Sequence, residues 1–98
     1  MQTELPDNSV VWLNSGSSLR YPIRFQDDKR NVELTGEAFF DIQSNSDVPF
    51  EVTTPSKLQV IARETKFNIN AYRDDLYEEI VLQEGLVEIK HYSQLMAM

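Results

Sequence analysis

Cysteine is missing from the 98 residues of this chain, and basic residues are scarce. Without a thiol the protein has no disulfide, no zinc–thiolate site, no iron–sulfur cluster and no cysteine nucleophile. The absence of cysteine fits an oxidising or a reducing compartment, so it does not indicate in which of the two the protein is found. Nine lysines and arginines against sixteen acidic residues give a net charge of -7. Because no basic stripe exists to release counterions from a polyanion, we expect no nucleic-acid partner.

Long apolar runs are also missing. No uninterrupted apolar run exceeds four residues, as in Val10–Leu13, whereas a helix that crosses a bilayer needs about 20. Met1 opens no signal-peptide pattern of charged and then apolar residues. If the mature protein is anchored or exported, the segments responsible lie outside these residues. The length fits one domain over residues 1–98, able to bury roughly 60 to 65% of its unfolded surface without metal or disulfide.

What the sequence does have is a two-residue period of apolar side chains, which is typical of half-buried strands. In the clearest case Leu19, Tyr21, Ile23 and Phe25 alternate with polar residues and Pro22. Because proline cannot donate to a ladder, this strand should lie at an edge or be bulged there. About nine such strands, at intervals of roughly ten residues, predict an all-β fold of mainly antiparallel short strands, as a β-sandwich or a jelly-roll-like or β-roll domain. Helix is most plausible over 72–79, a run too short to be stable alone.

The stretch 31–42 predicts a strand, a break and a second strand. Val32 and Leu34 share one face, and after Gly36 the even positions are apolar again. Since Gly36 can adopt a positive φ without steric cost, we expect a hairpin or a bulged corner there. A final hairpin is predicted around 83–85, with Gly85 at the position that needs a positive φ. The charge-dense segment 26–30 is interpreted as a solvated loop without a site.

The apolar positions of these strands predict the core and the contact surface. The predicted core residues are Val11, Leu13, Leu34, Phe40, Phe50, Val60, Phe67, Ile69, Leu82 and Val87. We expect protein partners to use an exposed sheet edge or the tail 95–98, because the proline-marked edge protects only one side of the sheet. The apolar tail suggests a piece of something longer, and it should favour self-association.

No set of side chains predicts catalysis, a cofactor or a metal. His91 is the only histidine, and its position at the end of a strand favours a surface residue over a catalytic base. Adjacent carboxylates on an extended chain point to opposite faces and cannot share a proton; such pairs are Asp27–Asp28, Asp74–Asp75 and Glu78–Glu79. The two aspartate pairs could ligate calcium, but no D-x-D-x-D-G loop supports this. We therefore predict a non-enzymatic protein with no cofactor.

A sugar-binding platform is the alternative from a different class. The aromatic residues that could build it are Trp12, Tyr21, Phe39, Phe40 and Tyr72. Most aromatic residues of a small β domain lie in its core, and a platform would need two or three of these exposed on one face beside polar neighbours. The alternative to a signalling module is thus a non-catalytic carbohydrate-binding or structural β-sandwich module.

Seven motifs in register resemble the FecR domain of TonB-linked anti-sigma regulators. They cover nearly the whole chain, and the G-E-A-x-F and F-N-x-x-A-Y elements are together specific. They are Leu5–Ser9, Trp12–Asn14, Leu19–Pro22, Leu34–Phe40, Pro49–Phe50, Phe67–Tyr72 and Leu82–Val87.

The resemblance implies a periplasmic module of a single-pass inner-membrane regulator. A cytoplasmic anti-sigma segment would precede it and a small signalling domain would follow it. The implied partners are the signalling domain of a TonB-dependent outer-membrane transporter and, through the missing cytoplasmic segment, an ECF sigma factor. Direct membrane contact by this fragment is not expected.

Two positions depart from the family pattern. Asn8 replaces a glycine, and asparagine can mimic glycine in the left-handed region. Glu64 replaces the glycine before Thr65, at the bond where some regulators resemble self-processing proteins. An N-to-O acyl shift there needs backbone angles that glycine permits and other residues adopt only at a cost, and a carboxylate disfavours the developing oxyanion. We therefore expect Thr65 to be structural and the chain to remain whole.

Overall fold

The apolar alternation forms strands, and their pairing builds two sheets around one core. The computed structural model describes residues 1–26, 28–43, 48–72 and 78–91. Its nine strands are β1 (Gln2–Glu4), β2 (Val10–Leu13), β3 (Ser18–Arg20), β4 (Arg30–Asp41), β5 (Phe50–Thr53), β6 (Leu58–Ala62), β7 (Lys66–Ala71), β8 (Glu79–Glu84) and β9 (Val87–His91). Within this described part no helix occurs, and hence none long and apolar enough to cross a membrane.

The two sheets share the long strand β4. The first sheet has the order β1-β2-β4-β7-β8, and the second has the order β3-β4-β5-β6-β9. Every pairing is antiparallel except that of β4 with β5. These pairings confirm the predicted all-β, mainly antiparallel fold.

Gly36 is where β4 passes from one sheet to the other. Residues before it pair with β3 and β5, and residues from it onward pair with β7 and β2. Its φ is +107°, and a Cβ would lie 2.7 Å from Ser17 Cα, so only glycine fits without a shift. Of the two forms predicted for this position, the corner is the one found: the chain runs on as a single strand, and Gly36 forms a corner within it.

The predicted final hairpin is wrong. Gly85 does have a positive φ, +96°, but β8 pairs with β7 in the first sheet while β9 pairs with β6 in the second. The physical reason is that β8 and β9 each pair with a strand that precedes them in the chain and whose apolar side chains match theirs. The turn at Gly85 therefore carries the chain across the gap between the sheets.

The core agrees with eight of the ten predicted residues. Phe40 is fully buried, stacks on Phe67 at 5.0 Å between ring centroids and meets Phe50 of the other sheet edge-on at 6.2 Å. The eight buried predictions are Val11, Leu13, Leu34, Phe40, Phe50, Val60, Phe67 and Ile69. Leu82 is 41% exposed and Val87 only partly buried, because both lie on strands with a single neighbour.

Segments 18–25 and 26–30 both differ from their predictions. The strand β3 lies at the edge of the second sheet, as predicted, but it ends at Arg20, before Pro22, and Ile23 is 99% exposed. Arg30 opens β4 and is buried, so the solvated loop ends before it. Its guanidinium donates to Asp7 Oδ2 at 2.7 Å and to the Val48 carbonyl at 2.7 and 3.1 Å. The prediction of helix over 72–79 falls mostly on residues outside the described ranges.

Candidate functional site

Among the residues that the structure describes, the sequence-predicted candidates do not come together as a catalytic or metal site. Asp28 is exposed, while Asp27, Asp74 and Asp75 lie outside the described residues. Glu78 accepts hydrogen bonds from the hydroxyls of Thr54 at 2.6 Å and Ser56 at 2.8 Å, which ties it to a neighbouring turn. The side chain of His91 is outside the described set. Among the described residues no group of three or more possible ligands could hold a metal ion.

Thr65 has the environment of a structural residue. It is 3% exposed, it directly precedes β7, and its hydroxyl donates to the Leu86 carbonyl at 3.1 Å. In the described ranges the non-glycine residues with a positive φ are Asn8 and Lys57. Glu64 is therefore not in that conformation. Asn8 has φ +71° and closes a turn, in which its backbone N–H donates to the Leu5 carbonyl at 2.9 Å. Asparagine does therefore take the left-handed conformation at the position of the family's glycine.

The five aromatic candidates separate into different environments. Phe40 is in the core. Tyr21 is 39% exposed beyond the end of β3, and the Tyr72 hydroxyl donates to the Ser15 carbonyl at 2.8 Å. Trp12 and Phe39 meet on the outer face of the first sheet, with ring centroids 5.7 Å apart and planes at 52°.

The edge strands β8 and β9 each carry an apolar residue that lies on the core side of its sheet but is still exposed to solvent. Leu82 pairs with the buried Phe67, and Ile89 pairs with the buried Val60. Residues directly opposite in an antiparallel pair share one face of the sheet, so both side chains have the inward phase. They are nevertheless 41% and 51% exposed. The core is thus uncovered along this side of the described structure.

A groove lies around the turn that joins the two strands. It has a volume of about 550 Å³, and Leu86 at its rim is 84% exposed. The groove is lined by Ile61, Arg63, Glu64, Thr65, Gly85, Leu86, Val87 and Glu88. We call the combined surface of Leu82, Leu86, Ile89 and this groove the open edge.

The open edge also has unpaired backbone along it. Within the described ranges, β8 pairs only with β7 and β9 only with β6. A strand with one neighbour presents free N–H and C=O groups that can hydrogen-bond an added strand. A bulge lies in the pairing of β8 with β7, where the register shifts between Lys66 and Phe67 near Glu84. Apolar side chains and free backbone together suit contact with another polypeptide.

Sequence reasoning missed one polar cluster on the outer face of the first sheet. Glu37 Oε1 accepts from the Asn14 amide and Oε2 from the Asn68 amide, each at 2.9 Å. These hydrogen bonds, first from Asn68 and then from Asn14, hold the pKa of Glu37 below its ordinary value. The three residues are separated by 23 and 31 positions, so no local motif announces them.

The fold and the open edge define an all-β module whose described surface is suited to protein contact. The model of the family described as FecR protein matches residues 1–88. The chain belongs to the FecR family, which confirms the resemblance seen in its motifs.

Similar solved structures exist. Two crystal structures of a proposed anti-sigma factor from Parabacteroides distasonis, at 1.65 and 2.50 Å, each share 38% identity with this chain at a TM-score of 0.89. The match covers 93% of this chain and 42% of that one, so the chain spans less than half the length of its structural relative. No curated protein matches the chain.

Proposed function

We propose that this chain is the periplasmic signal-transduction module of a transmembrane anti-sigma regulator. The observation that carries the proposal is the 38% identity, over 93% of the chain, to a proposed anti-sigma factor. Because the chain spans only 42% of that protein, the sigma-binding segment would lie in another part of the regulator. The module would receive a signal from a TonB-dependent outer-membrane transporter and pass it across the inner membrane to an ECF sigma factor.

In this proposal the module acts by binding and not by catalysis. The open edge supplies apolar side chains and unpaired backbone, which are the two elements of strand addition. The net charge of -7 favours a partner domain with basic residues, since complementary charge speeds encounter. The signalling domain of the transporter is the partner that this surface would receive.

A pair of matched substitutions tests the docking surface in the full-length regulator. Ile89→Glu places a charge on the open edge, while Ile23→Glu makes the same change at a side chain that is 99% exposed. Ile23 follows β3 and Ile89 lies on β9, at opposite edges of the second sheet. We expect Ile89→Glu to abolish induction of a sigma-dependent reporter and Ile23→Glu to leave it intact, at equal protein abundance. Equal induction by both variants would contradict the role of the open edge as the docking surface.

The compartment is tested separately. Alkaline phosphatase needs its disulfides and is active only in an oxidising compartment. We expect alkaline phosphatase to be active in intact cells when it is inserted into the full-length regulator directly after residue 98. An inactive enzyme with a correctly accumulated fusion would place the module in the cytoplasm and contradict the proposed topology.

A further inference from the structure

The outer face of the first sheet carries an aromatic pair that takes no part in the core. Trp12, Phe39 and Asn68 lie side by side on β2, β4 and β7, since Trp12 pairs with Phe39 and Phe39 with Asn68. Their chain neighbours Phe40 and Phe67 are fully buried, so the alternation turns this row outward. Trp12 is 40% exposed, which leaves part of its ring in contact with solvent.

A fixed polar group lies next to this pair. Glu37 precedes Phe39 by two positions and so shares its face. Its two oxygens accept one amide each, from Asn14 and from Asn68, both at 2.9 Å. Asn14 Oδ1 in turn accepts from the Ser15 N–H at 2.9 Å, which fixes the orientation of the Asn14 amide. Each carboxylate oxygen keeps acceptor capacity, and each amide nitrogen keeps a second N–H.

The aromatic rings and the polar group line the same depression. Its volume is about 220 Å³, and its lining residues are Trp12, Leu13, Asn14, Glu37, Ala38, Phe39 and Asn68. Pockets for drug-sized ligands run from about 300 to 1,000 Å³, so this one suits a smaller unit such as a single ring.

We propose that this depression binds one neutral pyranose unit of a glycan, with the sugar ring against Trp12 and its hydroxyls on Glu37, Asn14 and Asn68. A pyranose has an apolar C–H face that packs on an aromatic ring, and hydroxyls that donate to a carboxylate and accept from an amide. An ammonium ion would also be attracted to the ring and the carboxylate, but it has no acceptor for the two amide N–H groups. The combination of donors and acceptors therefore favours a sugar over a cation. The inference stands independently of the proposed anti-sigma role.

Trp12 is the only tryptophan of the chain, so its fluorescence reports on this site directly. The chain is titrated with maltohexaose, cellohexaose, chitohexaose and mannohexaose, and in a separate arm with tetramethylammonium chloride. We expect a saturable change with at least one saccharide, and the affinity should fall at least about tenfold in Glu37→Gln because a hydrogen bond to a charged group is lost.

Glu33→Gln is the matched control, since Glu33 is on the same strand with its side chain 60% exposed and does not line the depression. It should bind as the unchanged chain does. A near-UV circular dichroism spectrum equal to that of the unchanged chain shows that Glu37→Gln is folded, and calorimetry of Trp12→Leu provides a second loss of binding. No saturable change with any of the four saccharides, binding of tetramethylammonium alone, or equal affinity of the two glutamine variants would overturn the proposal.

Discussion

Arg30 is a buried cation, and replacing it by methionine tests what its contacts contribute. The side chain is 3% exposed, and it donates to Asp7 Oδ2 at 2.7 Å, to the Gln43 carbonyl at 3.0 Å and twice to the Val48 carbonyl. Its guanidinium carbon lies 5.5 Å from the centre of the Phe50 ring. Methionine keeps the length and apolar character of the stem but removes all four donated hydrogen bonds.

The expected loss follows from what is left behind. Removing one partner of a buried ion pair costs about 3 to 5 kcal/mol. Asp7 remains 16% exposed and still accepts from the backbone N–H and hydroxyl of Ser9, both at 2.9 Å. Because the orphaned carboxylate keeps these bonds, we expect the lower end of the range, about 3 kcal/mol. With a urea m-value of about 1 to 3 kcal/mol per molar, the midpoint should fall by roughly 1 to 3 M.

Arg20→Met is the matched control in the same urea titration. Arg20 lies 3.9 Å from Glu33, and the two side chains are 86% and 60% exposed. Exposed pairs contribute little, so the change should stay below about 1 kcal/mol. A double-mutant cycle of Arg30→Met with Asp7→Asn isolates the ion pair itself. If Arg30→Met destabilises the chain no more than Arg20→Met does, the anchoring role assigned to Arg30 is refuted.

Four further outcomes are expected. Phe40→Ala should lower the free energy of unfolding by about 3 to 5 kcal/mol, and a loss below 1 kcal/mol would contradict its central place. Asn8→Ala should cost about 1 to 2 kcal/mol while Asn8→Gly is nearly neutral, because the left-handed φ is strained for alanine alone; equal melting temperatures of the two variants would contradict this. Since the folded pKa of Glu37 lies below its ordinary value of 4.5, its stabilising effect is present above pH 4.5 and is lost as pH falls through the folded pKa. The difference in free energy of unfolding between the unchanged chain and Glu37→Gln should therefore decrease from pH 7 to about pH 3. A difference that does not change with pH would contradict a stabilising role of the Glu37 carboxylate. Intact mass after long incubation should show one species, whereas fragments that end at Glu64 and begin at Thr65 would disprove the structural role of this threonine.

The two-residue period predicts the all-β fold but not which strands pair. Along β4 the even positions are buried on both sides of Gly36, as the alternation indicates. A positive φ at glycine fits a hairpin turn and a corner within a strand equally well, so Gly36 and Gly85 alone do not distinguish the two. The choice depends on partners far away in sequence: β2 and β7 take the second half of β4, and β6 takes β9. No window of neighbouring residues contains that information.

Polar clusters were the other feature beyond reach of the sequence. Arg30 ends a run of charged and polar residues that is typical of a solvated loop. Its burial is explained by partners far away in sequence: the ion pair with Asp7, 23 positions earlier, and the hydrogen bonds to the Gln43 and Val48 carbonyls. Glu37 looks like any outward residue of a strand until Asn14 and Asn68 converge on it. In contrast, Asn8 could be predicted, because its conformation depends on a turn within five residues.

The free energy available from covering the apolar side chains of the open edge fits a reversible contact. Burying a whole leucine or isoleucine contributes about 1.5 to 3 kcal/mol, and Leu82 and Ile89 retain 41% and 51% of their exposure while Leu86 retains 84%. Covering all three would therefore contribute about 3 to 5 kcal/mol. Association itself costs about 4 kcal/mol or more in lost translational and rotational freedom, so these side chains alone cannot hold a partner. Stable docking must add backbone hydrogen bonds along β8 or β9. A partner whose strand is displaced would then be released readily, as the proposed signalling contact requires.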